Sequence, residues 1–529
     1  MALARGPDLR VELSSLPWVV VQAGGPGTRM RHHTWNKPQC LISVGGQPIL
    51  YHLFERFPAA RFVVIADHQH EHLAAFLALN PPKVSVALVT TRAKGSAGGL
   101  RAALERVPAR TPFALVWSDL LLGAVPGGAV ADRPVVGLSR SFPCRWALSE
   151  AGALVEEGSN DRGVAGFFAF PERSWLEEVP AGGDLLRWIS GQGWPLASVF
   201  LDAAQWIGEV SGLDDASRTH TWSRYFNDVA VGDTQVTKRP RSPEFAPLIE
   251  DEAEWYLHVA RLGFDRAPEV LARSPLTLAR VPGRHPFALA GSPVATVPAA
   301  DAPRPREEAV LEGICATLDR LHALESVPPS REAMEEVYLR KTFERVRQVR
   351  PLLPHVDHPE VRVNGRLCRN PFAPGQEETL VARCRPLLDR CPRFTTIHGD
   401  PTFSNTLVDA AGRAFLIDPR GRFGALRFHG DPRYDWAKLY YSAVGGYDSF
   451  NRRRFTLQVS AAEVEVRVQP SGYAHLEPLL AARADPSIAE IRLLHALIWI
   501  SLAGYVRDDY DSILGAFYNG LWWLEEAGP

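Results

Sequence analysis

Two clusters in this sequence have the residue types and spacing that phosphate chemistry needs. In the later cluster, FTTIHGDPTFSNTLVD, Asp400 and Asn405 lie five residues apart, and Asp418 ends the apolar run AFLID thirteen residues after Asn405. One carboxylate can orient an attacking hydroxyl, while an amide and a second carboxylate hold a divalent cation against phosphate groups. Because the three groups follow in this order, the cluster predicts a phosphoryl-transfer site.

The earlier cluster begins with a glycine-rich turn that directly follows the apolar run WVVVQ. Small residues at such a turn bring backbone N–H groups close to a polyphosphate. Arg29 follows the turn and Lys37 lies eight residues further on, so two cations could meet the phosphates. The turn residues are Gly24, Gly25, Gly27 and Thr28. By itself such a turn is a structural corner as often as a phosphate cradle.

Two later signals support the phosphate interpretation of that turn. The segment KGSAGG, residues 94–99, again opens a helix after a strand, and Asp119 ends the apolar run FALVWSD. A carboxylate at that position can hold Mg²⁺ against a nucleotide phosphate. Together the three signals predict a site for a nucleoside triphosphate.

The elements that must position these groups alternate between apolar runs and helical stretches from residue 18 to 119. Helices are predicted near 47–57, 70–79 and 97–107. This rhythm favours an α/β domain with a mostly parallel sheet, which binds its ligands at the carboxyl ends of the strands. We expect this domain over residues 1–230 and a second domain over 231–529, with the boundary near Val231.

The first domain resembles the nucleotidyltransferase family of sugar-1-phosphate and phosphocholine activating enzymes. The motifs that carry the resemblance are VVVQAGGPGTR, NKP, KGSAGG and WSDL, within roughly the first 230 residues. The resemblance implies a Rossmann-like fold. It also implies that a phosphorylated metabolite attacks the α-phosphate of a nucleoside triphosphate and that pyrophosphate leaves.

The same resemblance implies roles for individual residues. Arg29 and Lys37 would meet the phosphates, and Gly166 would flank the acceptor. The base and the nucleotide would be seated by Ala23, Gly24, Gly95, Ser96, Ala97 and Gly98.

Magnesium ligation in the first domain would need two carboxylates. The resemblance assigns one to Asp119. The second usually comes from a later segment, where Asp214 and Asp215 in GLDDASRTHTW are both candidates. The sequence leaves the choice between them open.

The second domain resembles the aminoglycoside phosphotransferase and choline kinase family, through the order HGD, then N, then ID. This protein-kinase-like fold implies ATP as donor, with a small lobe over about 231–305 and a large helical lobe over about 306–529. It needs a strand lysine paired with a helical glutamate, for which Lys238 and Glu252 fit and Glu254 is the fallback. An exposed lysine and surface acids explain these residues equally well.

Two interpretations fit the charged segment after Asp418, which is FHGDPRYDWAKLYYSAVGGYD. Its charged residues include Asp431, Arg433, Asp435 and Lys438. Acceptor binding would explain so much charge, and a structural ion-pair network explains it equally well. In the HGD motif, we expect His398 to brace the loop rather than to transfer protons.

Composition excludes several classes of partner. With 58 Lys and Arg against 60 Asp and Glu, a formal net charge of -2 gives no reason to expect nucleic acid or anionic lipid. The six cysteines form no CxxC pair, which fits a reducing cytoplasm. The apolar stretch Leu493–Val506 is too short to span a bilayer and predicts a buried helix, so we expect no membrane insertion.

The two sites together predict a bifunctional enzyme. The kinase would phosphorylate a small alcohol, sugar or choline-like acceptor with ATP. The transferase would then join the product to a nucleotide from a second triphosphate, for which CTP is favoured over UTP or another base. By analogy with related fusions, the product would serve surface polysaccharide synthesis.

Two alternatives stay open at this point. The two activities could act on different metabolites, or one domain could be a non-catalytic nucleotide-binding module. The oligomeric state, a homo-oligomer included, is also open.

Overall fold

The computed structural model of the chain describes residues 10–91, 94–219, 227–289, 306–484 and 487–528. The chain divides into two compact units, one of residues 1–222 with 508–511 and one of residues 223–507 with 512–529. The boundary expected near Val231 lies at the end of strand Asn227–Val231, eight residues after the start of the second unit.

The first unit is built on a nine-stranded sheet with four neighbouring parallel strands. In spatial order these four are Phe113–Trp117, Trp18–Gln22, Arg61–Ile65 and Ser85–Val89. Successive side chains of a strand point to opposite faces, yet Val19, Val20 and Val21 are all fully buried. Both faces of the sheet are therefore covered. This explains why the strand sequences are continuous apolar runs rather than alternating apolar and polar residues.

The sheet continues beyond its parallel part through strand Gly163–Phe170, which pairs antiparallel with Phe113–Trp117. The remaining strands of the sheet are Val135–Ser139, Ala147–Leu148, Leu154–Val155 and Ala197–Phe200. Short strand pairs outside it are Val11–Glu12 with Ala129–Val130, Ser43–Val44 with Gln47–Pro48, and Leu120–Leu122 with Ala204–Trp206.

The helices of the first unit are Ile49–Arg56, His70–Leu79, Leu100–Leu104, Leu185–Gln192 and Val210–Thr219. The first three correspond to the three helices expected from the sequence. The third starts later than expected, because Gly99 at its N-terminus has a φ of 77° and cannot belong to a right-handed helix.

The second unit opens with a four-stranded antiparallel sheet. Its strands, in spatial order, are Asn227–Val231, Gln235–Pro240, Leu276–Ala279 and Val270–Arg273. Helix Ala246–Arg261 buries Trp255, Tyr256 and Val259. This sheet and helix lie at the start of the chain segment for which the sequence predicts the small lobe of a kinase-like fold.

The rest of the second unit is mainly helical. Its helices are Pro286–Leu289, Glu307–His322, Arg331–Glu335, Lys341–Val349, Glu377–Asp389, Pro432–Ala443, Tyr447–Asn451, Glu477–Ala484 and Ile488–Leu502, with a π-helical turn at Glu336–Arg340. Helix Tyr510–Glu526 also belongs to this unit from Ser512 onward. Short strands are Ser326–Val327, Glu360–Val363, Arg366–Arg369, Phe394–Thr396, Thr406–Val408, Ala414–Leu416, Arg422–Phe423, Leu426–Arg427, His429–Gly430, Phe455–Val459 and Val464–Val468.

Helix Ile488–Leu502 confirms the buried helix expected from the apolar stretch near the end of the chain. Trp499 is fully buried, and its indole Nε1 donates a hydrogen bond to His495 Nε2 at 2.9 Å. Among the described residues, no helix combines the length and the apolar character that crossing a bilayer would require. All six cysteines are free thiols.

Candidate active sites

In the first unit, the predicted nucleotide residues come together at the carboxyl ends of the parallel strands. The backbone N–H of Ser118 donates to Gln22 O at 3.1 Å, and that of Ala23 donates to Ile65 O at 2.9 Å. The glycine turn after Gln22 and the acid after Ser118 therefore start from neighbouring strand ends. This edge is where a parallel sheet binds its ligands.

The glycine turn has a conformation that other residues would not adopt easily. Gly27 has a φ of 58°, and a Cβ there would lie 3.0 Å from side-chain atoms of Thr34 and Gln39. The Thr34 hydroxyl donates to Gly27 O at 2.9 Å. At Gly25 a Cβ would meet open space. The turn is thus anchored at Gly27, and the neighbouring backbone at Gly25 is accessible to a ligand.

The second glycine segment is held by a loop from later in the chain. Ala97 N donates to Gly183 O at 2.9 Å, and Leu185 N donates to the Ser96 hydroxyl at 2.9 Å. Gly95 has a φ of 91°, and a Cβ there would collide with Gly183 O. Gly98 N closes the turn on Gly95 O at 3.0 Å. Sequence reasoning missed Gly183, because no local pattern links it to residues 95–98.

Asp119 is half-buried and accepts a hydrogen bond from an indole side chain. Trp206 Nε1 donates to Asp119 Oδ2 at 3.0 Å, and the Arg29 guanidinium lies 4.9 Å from the centre of the Trp206 ring. Burial raises the pKa of Asp119, against opposing contributions from Trp206 and Arg29. Trp206 therefore links the predicted metal carboxylate to the predicted phosphate-binding arginine, a role that its sequence context did not indicate.

Lys37 is the predicted phosphate ligand with the least accessible charge. Its side chain is 4% exposed, and its Nζ lies 3.0 Å from Asp511 Oδ2 and 3.4 Å from Asp509 Oδ1. Both acids belong to the 508–511 segment of the first unit. Contact with a phosphate would require these ion pairs to be exchanged for the ligand.

The predicted site residues of the first unit that remain are the two candidate metal ligands and the glycine expected beside the acceptor. Asp214 and Asp215 fall in helix Val210–Thr219, but their side chains lie outside the described part of the chain. Gly166 has a φ of 89°, and a Cβ there would collide with the Trp117 ring. Packing against Trp117 is thus a sufficient reason for glycine at this position.

In the second unit, Lys238 connects the small lobe to the acid after the later apolar run. Its ammonium forms ion pairs with both Glu252 and Asp418. Burial would lower the pKa of Lys238, but the two carboxylates outweigh it and raise that pKa, so the lysine is charged. The fallback residue Glu254 is paired with Arg273 instead.

Backbone contacts fix Asp418 beside the loop that contains Asp400 and Asn405. Its φ is 56°, in the left-handed region, and its N–H donates to the Tyr256 hydroxyl at 2.9 Å. The preceding residue, Ile417, donates its N–H to Asn405 O at 2.9 Å. The structure thereby brings Asp418 and Asn405 together, although thirteen residues separate them in sequence.

Asp400 lies among a carboxamide and two cations. Asn405 Nδ2 donates to the Asp400 backbone O at 2.8 Å and to its Oδ2 at 3.2 Å. Lys438 Nζ lies 3.0 Å from Asp400 Oδ1, and Arg420 Nε lies 3.6 Å from Oδ2. The attraction of Asp400 raises the pKa of Arg420, although burial opposes it.

These groups suit a hard divalent cation. The amide nitrogen of Asn405 is directed to Asp400, so the amide oxygen is the atom that a cation would use, and Asp418 supplies a carboxylate oxygen. Oxygen donors of this kind are preferred by Mg²⁺.

His398 braces the loop through three contacts, as the sequence suggested. It is fully buried, its ring Nε2 lies 2.9 Å from Ile417 O, and its Nδ1 accepts a hydrogen bond from Asp400 N at 3.2 Å. Asp435 accepts hydrogen bonds from the backbone N–H groups of His398 at 2.8 Å and Gly399 at 2.7 Å.

Asp431 and Arg433 form a buried network around the start of helix Pro432–Ala443. Asp431 caps the helix by accepting from Arg433 N at 3.0 Å, and it also accepts from the Tyr338 hydroxyl at 2.9 Å. The Arg433 guanidinium binds Asp431 and, at 3.0 Å, Glu490. These are the contacts of the ion-pair alternative that the sequence left open.

Two family models match separate parts of the chain. A family model described as "MobA-like NTP transferase domain" matches residues 19–123. A second, described as "Phosphotransferase enzyme family", matches residues 220–464. The chain joins a nucleotidyltransferase domain to a kinase-type phosphotransferase domain.

Solved structures that resemble part of this chain include HddC from Yersinia pseudotuberculosis. The identity is 17%, the TM-score is 0.33, and the match covers 39% of this chain and 100% of that chain. Another is the inositol-1-phosphate CTP transferase from T. maritima, with 16% identity, a TM-score of 0.32 and coverage of 39% and 96% respectively. A search of curated proteins finds no match.

The phosphotransferase domain also contains a group of potential metal ligands away from the predicted ones. His258 Nε2 and His429 Nε2 lie 3.0 Å and 3.2 Å from Glu325 Oε2. Neither Asn405 nor Asp418 belongs to this group.

Proposed function

We propose that the phosphotransferase domain phosphorylates a hydroxyl of a small metabolite with ATP, and that the nucleotidyltransferase domain joins this phosphate to a nucleotide. Pyrophosphate is the second product. Nucleotide-activated alcohols and sugars of this kind are suitable donors for surface polysaccharides, and we propose that role for the product.

The contact between Asp400 and Asn405 carries the kinase half of this proposal. The Asp400 carboxylate accepts the hydroxyl proton while the hydroxyl oxygen attacks the γ-phosphorus of ATP. Lys238, held by Glu252 and Asp418, is a fixed cation for the ATP phosphates. Asn405 and Asp418 would hold Mg²⁺, which neutralises charge on those phosphates when bound.

The nucleotidyltransferase half rests on the residues at the strand ends of the first unit. Backbone N–H groups of the two glycine segments bind the triphosphate, and Arg29 stabilises the negative charge that grows on the departing pyrophosphate. Asp119 would hold Mg²⁺ there. Trp206 orients Asp119 by its hydrogen bond.

Product analysis tests both halves at once. Purified protein is incubated with a pooled metabolite extract, ATP and each of CTP, UTP, GTP and dTTP, and small products are identified by mass spectrometry. We expect a nucleotide-linked product with one base and equimolar pyrophosphate. Asp119→Asn should abolish pyrophosphate release, while the exposed control Asp132→Asn should not. Turnover by Asp119→Asn at the wild-type rate would refute the assignment.

One contact favours an alternative in which the first domain binds nucleotide without turnover. Lys37 is neutralised by Asp509 and Asp511, which would keep it from a substrate phosphate. Calorimetric titration of the triphosphates, beside a pyrophosphate assay with phosphorylated acceptors, separates the two functions. Binding without pyrophosphate release supports the alternative. Pyrophosphate release that is lost in Lys37→Ala supports the transferase.

A further inference from the structure

A cleft in the phosphotransferase domain opens beside Asp400. It contains about 560 Å³ of empty space, counting the part that opens to solvent. The residues proposed to act on ATP, namely Lys238, Glu252, Asn405 and Asp418, are absent from its lining. Asp400, the proposed proton acceptor, lines the cleft, whereas none of the residues proposed to act on ATP does. The cleft is therefore where the acceptor would bind.

The charges that line this cleft are unbalanced. Its described lining has four cationic side chains and a single acid, Asp400. The cations are Lys341, Arg345, Arg420 and Lys438. With all five groups ionised, the lining has a formal charge of +3.

Asp400 is paired with only two of the four cations. These are Lys438 at 3.0 Å and Arg420 at 3.6 Å. Arg345 instead donates to the backbone O and the hydroxyl of Ser501, at 3.2 Å and 3.0 Å. Among the residues that the structure describes, Lys341 forms no ion pair, although Asp400 is close enough to attract its ammonium group. Two cations are therefore left without an anionic partner in that part of the chain.

Burial makes this imbalance costly. Desolvation lowers the pKa of Lys341 to about 7, with further contributions from Arg420, Arg345 and Lys438. Desolvation and Arg420 also lower the pKa of Arg345. An anion bound between these groups would relieve the repulsion, because opposite charges attract strongly in a partly buried site.

The cleft wall that contains Lys341 has an unusual backbone conformation. The π-helical turn Glu336–Arg340 directly precedes helix Lys341–Val349. Such turns are uncommon and are frequently found at functional sites. Residues of the turn, Val337 and Tyr338, line the cleft with Lys341.

We propose that the acceptor of the phosphotransferase domain carries a phosphate or a carboxylate as well as its reactive hydroxyl, and that Lys341 and Arg345 bind this anionic group. The inference rests on the kinase activity proposed above. It argues against a choline-like acceptor, because a quaternary ammonium would meet four cations in this cleft.

The reaction is then a transfer between two anions. The acceptor oxygen forms a bond to the γ-phosphorus of ATP, the bond from that phosphorus to the β,γ-bridging oxygen breaks, and ADP leaves with the electron pair. The hydroxyl proton passes to Asp400. Lys438 and Arg420, which flank Asp400, reduce the repulsion between the acceptor and the γ-phosphate.

Fractionation of a metabolite pool tests this inference through the charge of the acceptor. A nucleotide-depleted extract is passed over an anion-exchange resin, and the flow-through and the retained fraction are each incubated with protein and γ-labelled ATP. Label transfer that depends on Asp400 should occur in the retained, anionic fraction. Phosphatase treatment of that fraction before the assay distinguishes a phosphate from a carboxylate.

The possible outcomes separate this inference from the proposed function. Transfer to the flow-through, which holds neutral and cationic metabolites, would overturn the anionic acceptor and leave the kinase proposal standing. Transfer to neither fraction would contradict the kinase proposal itself.

Variants of the helix test the residues. Lys341→Gln should need at least ten times more of the retained fraction for half-maximal rate, with the KM for ATP within a factor of two of wild type. In Lys341→Arg, which keeps the positive charge, the amount of retained fraction needed for half-maximal rate should return to the wild-type value. Arg347→Gln, on the exposed face of the same helix, is the control and should behave as wild type. An unchanged acceptor requirement in Lys341→Gln would refute the assigned role.

Discussion

Arg420 and Lys438 both contact the carboxylate of Asp400, while Asn405 donates to it from the loop. These contacts stabilise the ionised carboxylate and fix its orientation. Ionised and oriented, it can accept a proton from a hydroxyl in the cleft.

Asp400→Asn keeps the shape of the side chain but removes its ability to accept a proton. We expect kcat for phosphoryl transfer to fall by about a hundredfold or more, while ATP affinity changes little. A coupled ADP assay with the metabolite pool measures this. Asp233→Asn, on an exposed turn of the same domain, is the control. A kcat equal to that of wild type would contradict the role of Asp400.

Acceptor binding should depend on pH through Lys341. Its pKa of about 7 results from burial and from the neighbouring Arg420, Arg345 and Lys438, against the opposing attraction of Asp400. The protonated, anion-binding form is therefore lost as pH rises through about 7. We expect the acceptor KM to rise about tenfold between pH 6.5 and 8.5. Lys341→Arg should flatten this profile, and an equally steep profile in that variant would assign it to another group.

At the scale of elements, the glycine segments depend on conformations that exclude a side chain. Gly95→Ala would place a methyl group against Gly183 O at a φ of 91°. We expect nucleoside triphosphate affinity to fall at least about tenfold, because the segment would move away from the strand ends. The matched control is Gly191→Ala, where a Cβ meets open space. Calorimetric titration measures both, and equal affinities would contradict the role of this turn.

The buried helix Ile488–Leu502 should make the protein sensitive to acid. Burial lowers the pKa of His495 from 6.5 to about 3, so the folded state disfavours its protonated form. Its contribution to stability is present above pH 6.5 and is lost as pH falls toward 3. This loss approaches about 1.4 kcal/mol per pH unit.

Urea titrations at pH 7.5 and pH 4.5 measure that loss of unfolding free energy. His495→Gln should show a smaller difference between the two pH values than wild type, since glutamine does not titrate. His475→Gln, at an exposed position, is the control and should keep the wild-type difference. An unchanged difference in His495→Gln would show that other groups cause the acid sensitivity.

For the whole molecule, the proposed sequence of reactions predicts complementation. Asp119→Asn should still phosphorylate the acceptor, and Asp400→Asn should still transfer nucleotide to a phosphorylated acceptor. Starting from an acceptor whose reactive hydroxyl is still free, neither variant alone should make the nucleotide-linked product. A mixture of the two variants should make it. If each variant keeps its own activity but the mixture makes no product, the two domains act on different metabolites.

Short-range features of both domains were predictable because local spacing determines their geometry. The buried parallel strands read as unbroken apolar runs, and Asp400, Asn405 and Asp418 are ordered within one loop and one strand pair. The sequence also indicated that Lys238 and Glu252 could pair. The antiparallel pairing of strand Gly163–Phe170 with Phe113–Trp117 and the late start of helix Leu100–Leu104 were not evident from these patterns.

What the amino-acid sequence determined by itself was therefore the two domain types and the order of their chemical groups. Only the tertiary structure decided which distant groups meet, such as Lys238 with Asp418, Trp206 with Asp119, and Lys37 with Asp511. The cationic cleft is also a tertiary feature, since Lys341, Arg420 and Lys438 come from separate segments. The physical reason is that local preferences shape each strand, turn and helix, whereas packing between them sets the contacts across long stretches of chain.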